Sequence, residues 1–532
     1  MAGAAHFLSR STTMVNRTRR EFLADVGRGM LVASLGPALT SDLGLARALA
    51  DDAPDTLSFG KLEPLVGLMQ DMPADKLLPV LVEKLAGGTD LRTLVVAGAL
   101  ANARTFGGQD YTGYHAFMAL VPALEMSKEM PEARRALPVL KVLYRNTTRI
   151  QEKGGRKNEV LHPIKAADVP KDKRTGEVLR EATRRADMDA AERTFAAIAQ
   201  EPPGEAFNHL QFAVEDEVDV HRVVLAWRAY ALLDVTGKEQ AHTLLRQSVR
   251  YCVESEQWRL NNKRGEPPVR AVLPKLLDQY KLLSRPAGDK KAEDKWVEQL
   301  AETIWSSSRE KAADAAAAAL AEGISPEAVG EAISLAANQL VLRDPGRGRN
   351  DNPAKPQGSC HGDSVGVHAS DAANAWRNIA RVSDQRNTVA SLIVGAFHTA
   401  GQGSSQGGSL NKQPYPWPEH LEKVTTKEAS TLLKETEAAI KDKDQFRACA
   451  LVHRYGELDH PVRPVFDLLL RFATSEDGAL HAEKYYRTVT EEYAATRAAF
   501  RWRQLVALAR VTTSECGYPA PGYAEACKLL KV

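Results

Sequence analysis

Histidines that recur in similar sequence settings are the residues of this chain best suited to chemistry. The segment GVHASDAANAWR, residues 366–377, repeats the design of GYHAFMALVPAL, residues 113–124, so that His368 coincides with His115. An imidazole titrates near neutral pH and also ligates transition metals, so it can act as an acid, a base or a metal ligand. We therefore take His115 and His368 as candidate catalytic residues.

Two more histidine pairs recur in the same order along the chain. His221 precedes His242 by 21 residues, and His460 precedes His481 by the same number. The equal spacing predicts that His221 is equivalent to His460 and His242 to His481. We add His221 and His460 to the candidate catalytic residues, and we take His242, His481 and the unpaired His398 as candidate cofactor ligands.

The elements that must position these side chains are helices. Apolar residues recur at three- and four-residue spacing, alanine and leucine are abundant, and sustained period-two alternation is lacking. Ser325 followed by Pro326 is typical of a helix start, because a capping side chain precedes a residue that lacks an N–H. The pattern predicts an all-α, multi-helical fold.

Short matches outside the histidines indicate a tandem duplication with a pseudo-twofold relation. Ala97 and Ala101 match Ala332 and Ala336 at an offset of 235, and the offset rises to 253 at His368. The predicted organisation is a cleaved signal peptide at 1–50, a linker at 51–59, a first helical half at 60–255, a linker at 256–294, a second helical half at 295–495, and a C-terminal helix and tail at 496–532.

The rise in offset comes from a long polar loop, Arg343 to Ser364, in the second half. A loop of this length, rich in Gly, Pro and Asn, is either a surface insertion or a lid over a site. Cys360, His361 and Asp363 at its end keep both interpretations open.

The repeated histidines admit several chemical interpretations. Glu239 and Glu457 stand three residues before His242 and His460, which echoes the Glu-x-x-His pairs of helical di-iron proteins. Pro461 follows the second pair directly, which places that pair at a helix junction and argues against a complete di-iron site.

A groove between helices is the simpler arrangement. If the halves pack about a pseudo-twofold, a histidine of one half faces its equivalent, or His115 meets His221 within one half. Such a cleft would hold iron, a haem or a flat organic ligand, or would supply a general acid or base. The structural alternative is a set of buried histidines that are hydrogen-bonded to backbone and carboxylate groups.

The first fifty residues predict export. Thr18 to Leu23, TRREFL, resembles the twin-arginine motif, and Ala48 to Ala50 presents small residues to a signal peptidase. The apolar segment between them is too short to span a bilayer. We expect a periplasmic or otherwise extracytoplasmic mature protein, with the twin-arginine export machinery as a partner.

Composition narrows the other partners. The 70 basic and 68 acidic residues nearly balance and form no polybasic run, so nucleic acid is not an expected partner. No later stretch is apolar enough for stable membrane insertion, so we expect a soluble mature protein. Five scattered cysteines do not make a disulfide framework, although Cys516 and Cys527 are placed to bridge a C-terminal loop.

One family resemblance rests on the first histidine segment. The residues from His115 to Glu125 read His-Ala-x-x-x-Leu-x-x-Ala-Leu-Glu, and with Val367-His368-Ala369 they resemble segments of the questin oxidase-like family. That family is helical and histidine-bearing, and its founding activity is the oxidative ring-opening of an anthraquinone. The resemblance implies oxidative chemistry and singles out His115 and His368.

These observations predict an exported, soluble helical protein with a histidine-lined cleft, either an oxidoreductase-like enzyme or a cofactor- or ligand-binding protein that takes a small molecule. The alternative is a non-catalytic helical-repeat scaffold. A functional site requires that the histidines converge on one place. A scaffold predicts that they scatter, each with a local hydrogen-bond partner.

Export with cleavage after Ala50 leaves Asp51 as the first residue of the mature chain. N-terminal sequencing of the protein recovered from the periplasm checks this expectation. A mature chain that still begins at Met1 would contradict it.

Overall fold

The computed structural model describes residues 56–169, 174–349, 352–405 and 409–532. Only residues 56 and 57 are described in an N-terminal unit, Met1–Leu57, and residues from Ser58 to Val532 form a second, compact unit. The predicted export signal and cleavage site lie outside the described residues.

The all-α prediction is confirmed. The described residues contain no β-strand, only two isolated bridges, at Lys290 with Ile324 and at Glu476 with Pro519. Up to residue 279 the helices are α1 Glu63–Asp71, α2 Ala74–Ala86, α3 Leu91–Phe106, α4 Tyr111–Glu129, α5 Leu137–Glu152, α6 Thr175–Arg184, α7 Met188–Ile198, α8 Pro203–Val214, α9 Val220–Ala231, α10 Leu233–Thr236, α11 Ala241–Asn261 and α12 Val269–Gln279.

The remaining α-helices follow in the same manner to the end of the chain. They are α13 Asp294–Ser306, α14 Arg309–Ala321, α15 Pro326–Leu342, α16 Val365–Val382, α17 Gln385–Ser405, α18 Pro418–Leu421, α19 Ala429–Lys441, α20 Gln445–Glu457, α21 Arg463–Ser475, α22 His481–Ala495, α23 Trp502–Glu515 and α24 Tyr523–Leu530. Short 3₁₀ helices occur at Gly60–Leu62, Glu132–Arg134, Gly155–Asn158, Lys238–Gln240, Leu282–Ser284 and Gly478–Leu480.

Four helices form the centre of the compact unit. Helices α4 and α16 each pack against both α9 and α22. Since α4 and α9 belong to the first predicted half and α16 and α22 to the second, the halves pack together through these four helices. The tandem duplication itself stays a prediction.

The structure differs from the sequence-based predictions for one linker and for one disulfide. The segment 256–294, predicted as a linker, contains the end of α11 and all of α12. Cys516 and Cys527 are free thiols, so the disulfide considered for the C-terminal loop is not formed. Among the described residues, no helix combines the length and the apolar character that crossing a bilayer requires.

A buried lysine joins the two predicted halves. The Lys141 ammonium on α5 donates to the carbonyl oxygens of Ala473 (2.8 Å) and Glu476 (2.6 Å), and it pairs with the Glu483 carboxylate at 2.7 Å. The side chains of Lys141 and Glu483 are 1% and 0% exposed. A buried charge is stable only when it is paired, so these contacts fix the first turn of α22 against α5.

The substitution Lys141→Met should lower the free energy of unfolding by about 3–5 kcal/mol, because it leaves the Glu483 charge buried without a partner. Urea denaturation measures this loss. The exposed Lys128→Met is the control and should change stability by less than about 0.5 kcal/mol. Adding Glu483→Gln should recover part of the loss, and a loss below about 1 kcal/mol in Lys141→Met would contradict the assignment.

Candidate functional site

Four of the seven candidate histidines lie in the first turns of four different helices. His115 is on α4, His221 on α9, His368 on α16 and His481 begins α22. Side chains in a helix point back toward its N-terminus. Because the N-terminal ends of these helices meet, the four imidazoles converge; we call them the four-histidine cluster.

Local capping fixes where three of these helices begin. The Asp110 carboxylate accepts a hydrogen bond from the Gly113 N–H at 2.8 Å, and the Ser364 hydroxyl accepts one from the Val367 N–H at 3.4 Å. Asp219 accepts from the backbone of His221 at 3.3 Å. Each cap satisfies a helix N–H group that would otherwise lack a partner. It thereby fixes the residue at which the helix begins, and with it the position of the following histidine along the helix axis.

The fourth helix begins differently. Gly478, Ala479 and Leu480 all have positive φ, at 48°, 46° and 68°, immediately before His481. A left-handed conformation costs a residue with a Cβ roughly 1–2 kcal/mol, so the packing around this turn must outweigh that cost. A Cβ on Gly362 would lie 2.3 Å from the Cβ of His481, so the end of the long polar loop needs glycine there to pack against this histidine.

The four rings make a closed circuit of contacts. Ring centroids are separated by 4.9 Å for His115 and His221, 5.6 Å for His221 and His368, 5.4 Å for His368 and His481, and 4.9 Å for His481 and His115. The Nε2 atoms of His368 and His481 are 3.3 Å apart. The predicted contact between His115 and His221 is therefore confirmed, and each also contacts a histidine of the other predicted half.

Hydrogen bonds at the Nδ1 atoms of His115 and His481 fix the tautomers of these two rings. The Nδ1 atoms of His115 and His481 lie 2.7 Å from the Tyr111 carbonyl oxygen and 3.1 Å from that of Ala479. A carbonyl only accepts, so both Nδ1 atoms carry the proton and both Nε2 atoms carry a lone pair. The Nε2 atoms of His115 and His221 are buried without a hydrogen-bond partner.

Burial opposes the protonation of three of the four imidazoles. It lowers the pKa of His115 and of His481 well below the usual value, and the positive charge of Lys484 lowers both further. Burial and Lys484 also lower the pKa of His368, to about 3. Imidazoles held neutral at neutral pH offer lone pairs to a cation or a proton.

A carboxylate and three tyrosines surround the first-half side of the cluster. The Nδ1 atom of His221 lies 3.3 Å from Asp219 Oδ1, and the Tyr251 hydroxyl donates to Asp219 Oδ2 at 2.5 Å. Burial raises the pKa of Asp219, but the hydrogen bonds from His221 and Tyr251 outweigh it and leave the pKa below its usual value. The ring of Tyr114 lies 5.0 Å from that of His115. Tyr111 contacts the same ring at 4.3 Å and is 55% exposed, so the cluster approaches the surface beneath it.

The loop from Arg343 to Ser364 ends beside the cluster. The Gly362 N–H donates to the Glu515 carboxylate at 2.8 Å, and a small surface cavity between them reaches His481. His361 and Asp363 also line this cavity. Burial raises the pKa of Glu515 to about 7 and lowers that of His361 to about 4. The end of the loop thus packs against His481.

The other three candidate histidines lie away from the cluster. His460 donates from Nε2 to the Lys427 carbonyl oxygen at 2.9 Å and contacts the Tyr455 ring. His242 stacks on Phe195, and burial lowers its pKa to about 4. These histidines have separate surroundings, so the structure does not bring them to the site.

His398 is a core histidine outside the cluster. Its Nδ1 accepts a hydrogen bond from Trp376 Nε1 at 3.3 Å, and its Nε2 lies 3.2 Å from the side-chain amide nitrogen of Gln402. The ring is 2% exposed. Both of its nitrogens have partners among buried side chains, as the structural alternative expected.

In the cluster, His481 occupies the position that corresponds to His221, whereas the equal spacing predicted that His460 is equivalent to His221. His221 and His481 both lie at the start of a helix. Each has its Nδ1 beside an oxygen of the residue two places earlier, Asp219 and Ala479 respectively. A usable signal was present in the sequence: the offset had reached 253 at His368, and it continues to 260 at His481 but falls to 239 at His460. Sequence reasoning also missed Asp219, Tyr251 and Lys484, which carry no motif.

Comparison with known proteins gives no relative. No family model matches the chain, and neither a curated protein nor a solved structure matches it. The resemblance to the questin oxidase-like family therefore stays a prediction, and the function must be argued from the site.

Acidification should destabilise the protein through His398. Burial lowers its pKa to about 4, so its stabilising contribution is complete above pH 6.5 and is lost as the pH falls toward 4. Between pH 7 and pH 5 the loss should be about 2 kcal/mol. Urea unfolding of the wild type and of His398→Gln measures it. The variant should lose less stability over this range, and equal losses in the two proteins would contradict the prediction.

Proposed function

We propose that this chain is an exported oxidoreductase whose centre is a transition-metal ion held by His115, His221, His368 and His481. The observation that carries the proposal is the convergence of four imidazoles, in which the Nε2 atoms of His368 and His481 are 3.3 Å apart and those of His115 and His221 are buried without a hydrogen-bond partner. A cation among these nitrogens would supply the partner that the Nε2 atoms of His115 and His221 lack. A non-catalytic helical-repeat scaffold does not require histidines from four helices to converge.

The tethering of the rings supports the same conclusion. Metal-binding histidines usually donate their second ring N–H to a carbonyl or a carboxylate, which fixes the ring and raises the basicity of the other nitrogen. His115 and His481 do so to carbonyl oxygens, and His221 has Asp219 beside its Nδ1.

The distances suit a single ion. Two nitrogens bound at about 2.0–2.1 Å with a tetrahedral angle lie roughly 3.3–3.4 Å apart, and the Nε2 atoms of His368 and His481 are separated by 3.3 Å. As the side chains stand, no three His, Cys, Asp or Glu residues in the described ranges already have the geometry of a metal site. Binding therefore requires the His115 and His221 rings to turn. This movement breaks no hydrogen bond at their Nε2 atoms, but it lengthens the contacts of their Nδ1 atoms with the Tyr111 carbonyl oxygen and with Asp219.

The size of the cluster favours an ion over a haem. The imidazoles contact one another around the circuit at centroid separations of 4.9–5.6 Å, and a porphyrin has no space between them. Imidazole ligands suit iron, copper, nickel and zinc. Iron or copper here would supply one-electron chemistry, in keeping with the oxidative activity that the family resemblance implies.

The surrounding residues have separate tasks in this proposal. Asp219 orients His221 and offsets positive charge, while Tyr251 holds Asp219 in place. The exposed Tyr111 lies where a small-molecule substrate would approach. Export in a folded state suits a protein that must acquire its ion before it crosses the membrane.

Metal analysis and an absorption spectrum of the mature protein purified from its own periplasm test this proposal. We expect about one iron or copper ion per chain, and we expect His115→Ala and His368→Ala each to reduce metal content at least about tenfold. Each substitution removes one of the four imidazole nitrogens that would bind the ion.

His460→Ala and His242→Ala are the matched controls, because both remove a partly buried imidazole away from the cluster. They should retain the metal. A metal-free wild type that also fails to bind added iron, copper, cobalt or zinc would overturn the proposal. Stoichiometric zinc alone would retain the metal site and overturn the redox assignment.

A further inference from the structure

A larger cavity lies apart from the four-histidine cluster. Its volume is about 360 Å³, which lies within the roughly 300–1,000 Å³ that is usual for small-molecule pockets. Its walls come from α13, α15, α20, α23 and the segment 414–416. The lining includes none of the four clustered histidines, so a ligand bound here would occupy a second site.

Much of the lining of this cavity is apolar. Its buried apolar members are Ala301, Leu335, Leu342, Tyr415 and Val506, and its half-buried ones are Trp305, Pro414 and Pro416. Apolar surface gains free energy when it leaves water, and aromatic rings favour contact with other rings. The lining therefore suits an organic ligand with an apolar or aromatic body.

Arg343 brings a guanidinium group to this cavity. Its guanidinium carbon lies 4.3 Å from the centroid of the Trp305 ring. Its Nε donates to Gln339 Oε1 at 3.0 Å, and its Nη1 donates to the carbonyl oxygens of Asn411, at 3.3 Å, and of Lys412. In the part of the chain that the structure describes, Nη2 has no hydrogen-bond partner and no carboxylate forms an ion pair with the group. The guanidinium is thus held in place while one of its nitrogens stays available to a carboxylate.

The other charges of the cavity do not fill this role. Arg503 also lines it, but its guanidinium is paired with the Glu298 carboxylate at 2.7 Å. Burial lowers the pKa of Arg343, and the charge of Glu302 offsets this effect only in part. A cation that is removed from water without a partner gains stability when an anion binds to it. The exposed Glu302 would repel a second negative charge on the same ligand.

From this juxtaposition we infer that the cavity binds a small monocarboxylate with an apolar or aromatic body. The carboxylate pairs with Arg343, and the body lies against Trp305 and the apolar lining. This site needs no metal ion, so it does not depend on the function proposed for the four-histidine cluster.

Titration of the mature protein with 3-phenylpropionate, followed by ligand-observed NMR, tests the inference. The wild type should bind this probe with a dissociation constant of about 1 mM or below, and it should bind the uncharged 3-phenylpropionamide at least about tenfold more weakly. Arg343→Gln should weaken phenylpropionate binding at least about tenfold but change amide binding less than about twofold, because only the charged contact is lost. Glu302→Gln should strengthen phenylpropionate binding about two- to threefold, since it removes a like charge.

Arg447→Gln is the matched control. Arg447 is paired with Glu435 at 3.0 Å and does not line the cavity, so the affinity should change less than about twofold. If Arg343→Gln does not fold, Trp305→Leu takes its place and should weaken the binding of both probes at least about fivefold. Absence of binding by the wild type at about 10 mM phenylpropionate would overturn the inference. Unchanged affinity in Arg343→Gln, or tighter binding of the cation 2-phenylethylamine than of phenylpropionate, would also overturn it.

Discussion

The structure depends on the packing of four imidazoles whose rings contact one another at centroid separations of 4.9–5.6 Å. The Nδ1 atoms of His115, His221 and His481 each lie beside an oxygen atom. A change of tautomer that removes the proton from Nδ1 would therefore break these contacts. Burial lowers the pKa of His115 and of His481. In the proposed function, a cation shared among the rings stabilises this arrangement.

The helices around the cluster hold it in place from outside. Three begin at caps provided by Asp110, Asp219 and Ser364, which fix the positions of the histidines along the helix axes. The fourth begins after a turn of left-handed residues, and the buried pair of Lys141 and Glu483 fixes its first turn against the other half of the molecule. Rigid supports of this kind are what a site needs when its ligands come from four separate helices.

The two sides of the cluster differ in chemistry although they resemble each other in geometry. Asp219 and three tyrosines border His115 and His221, whereas Lys484 lies one turn after His481 on α22. The contacts within the cluster relate the first-half histidines to the second-half ones in a pairwise manner, as a pseudo-twofold would.

The sequence alone determined the all-α class, because helical periodicity and capping residues are local properties that each segment carries by itself. The equivalence of His115 and His368, which lie within matching segments, is a prediction from the sequence. Only the tertiary structure decided that His481, rather than His460, completes the cluster, because the equivalence depends on which helix ends meet in space. The same is true of Asp219, Tyr251 and Lys484: their roles come from contacts between helices far apart in the chain, and no local pattern records such contacts.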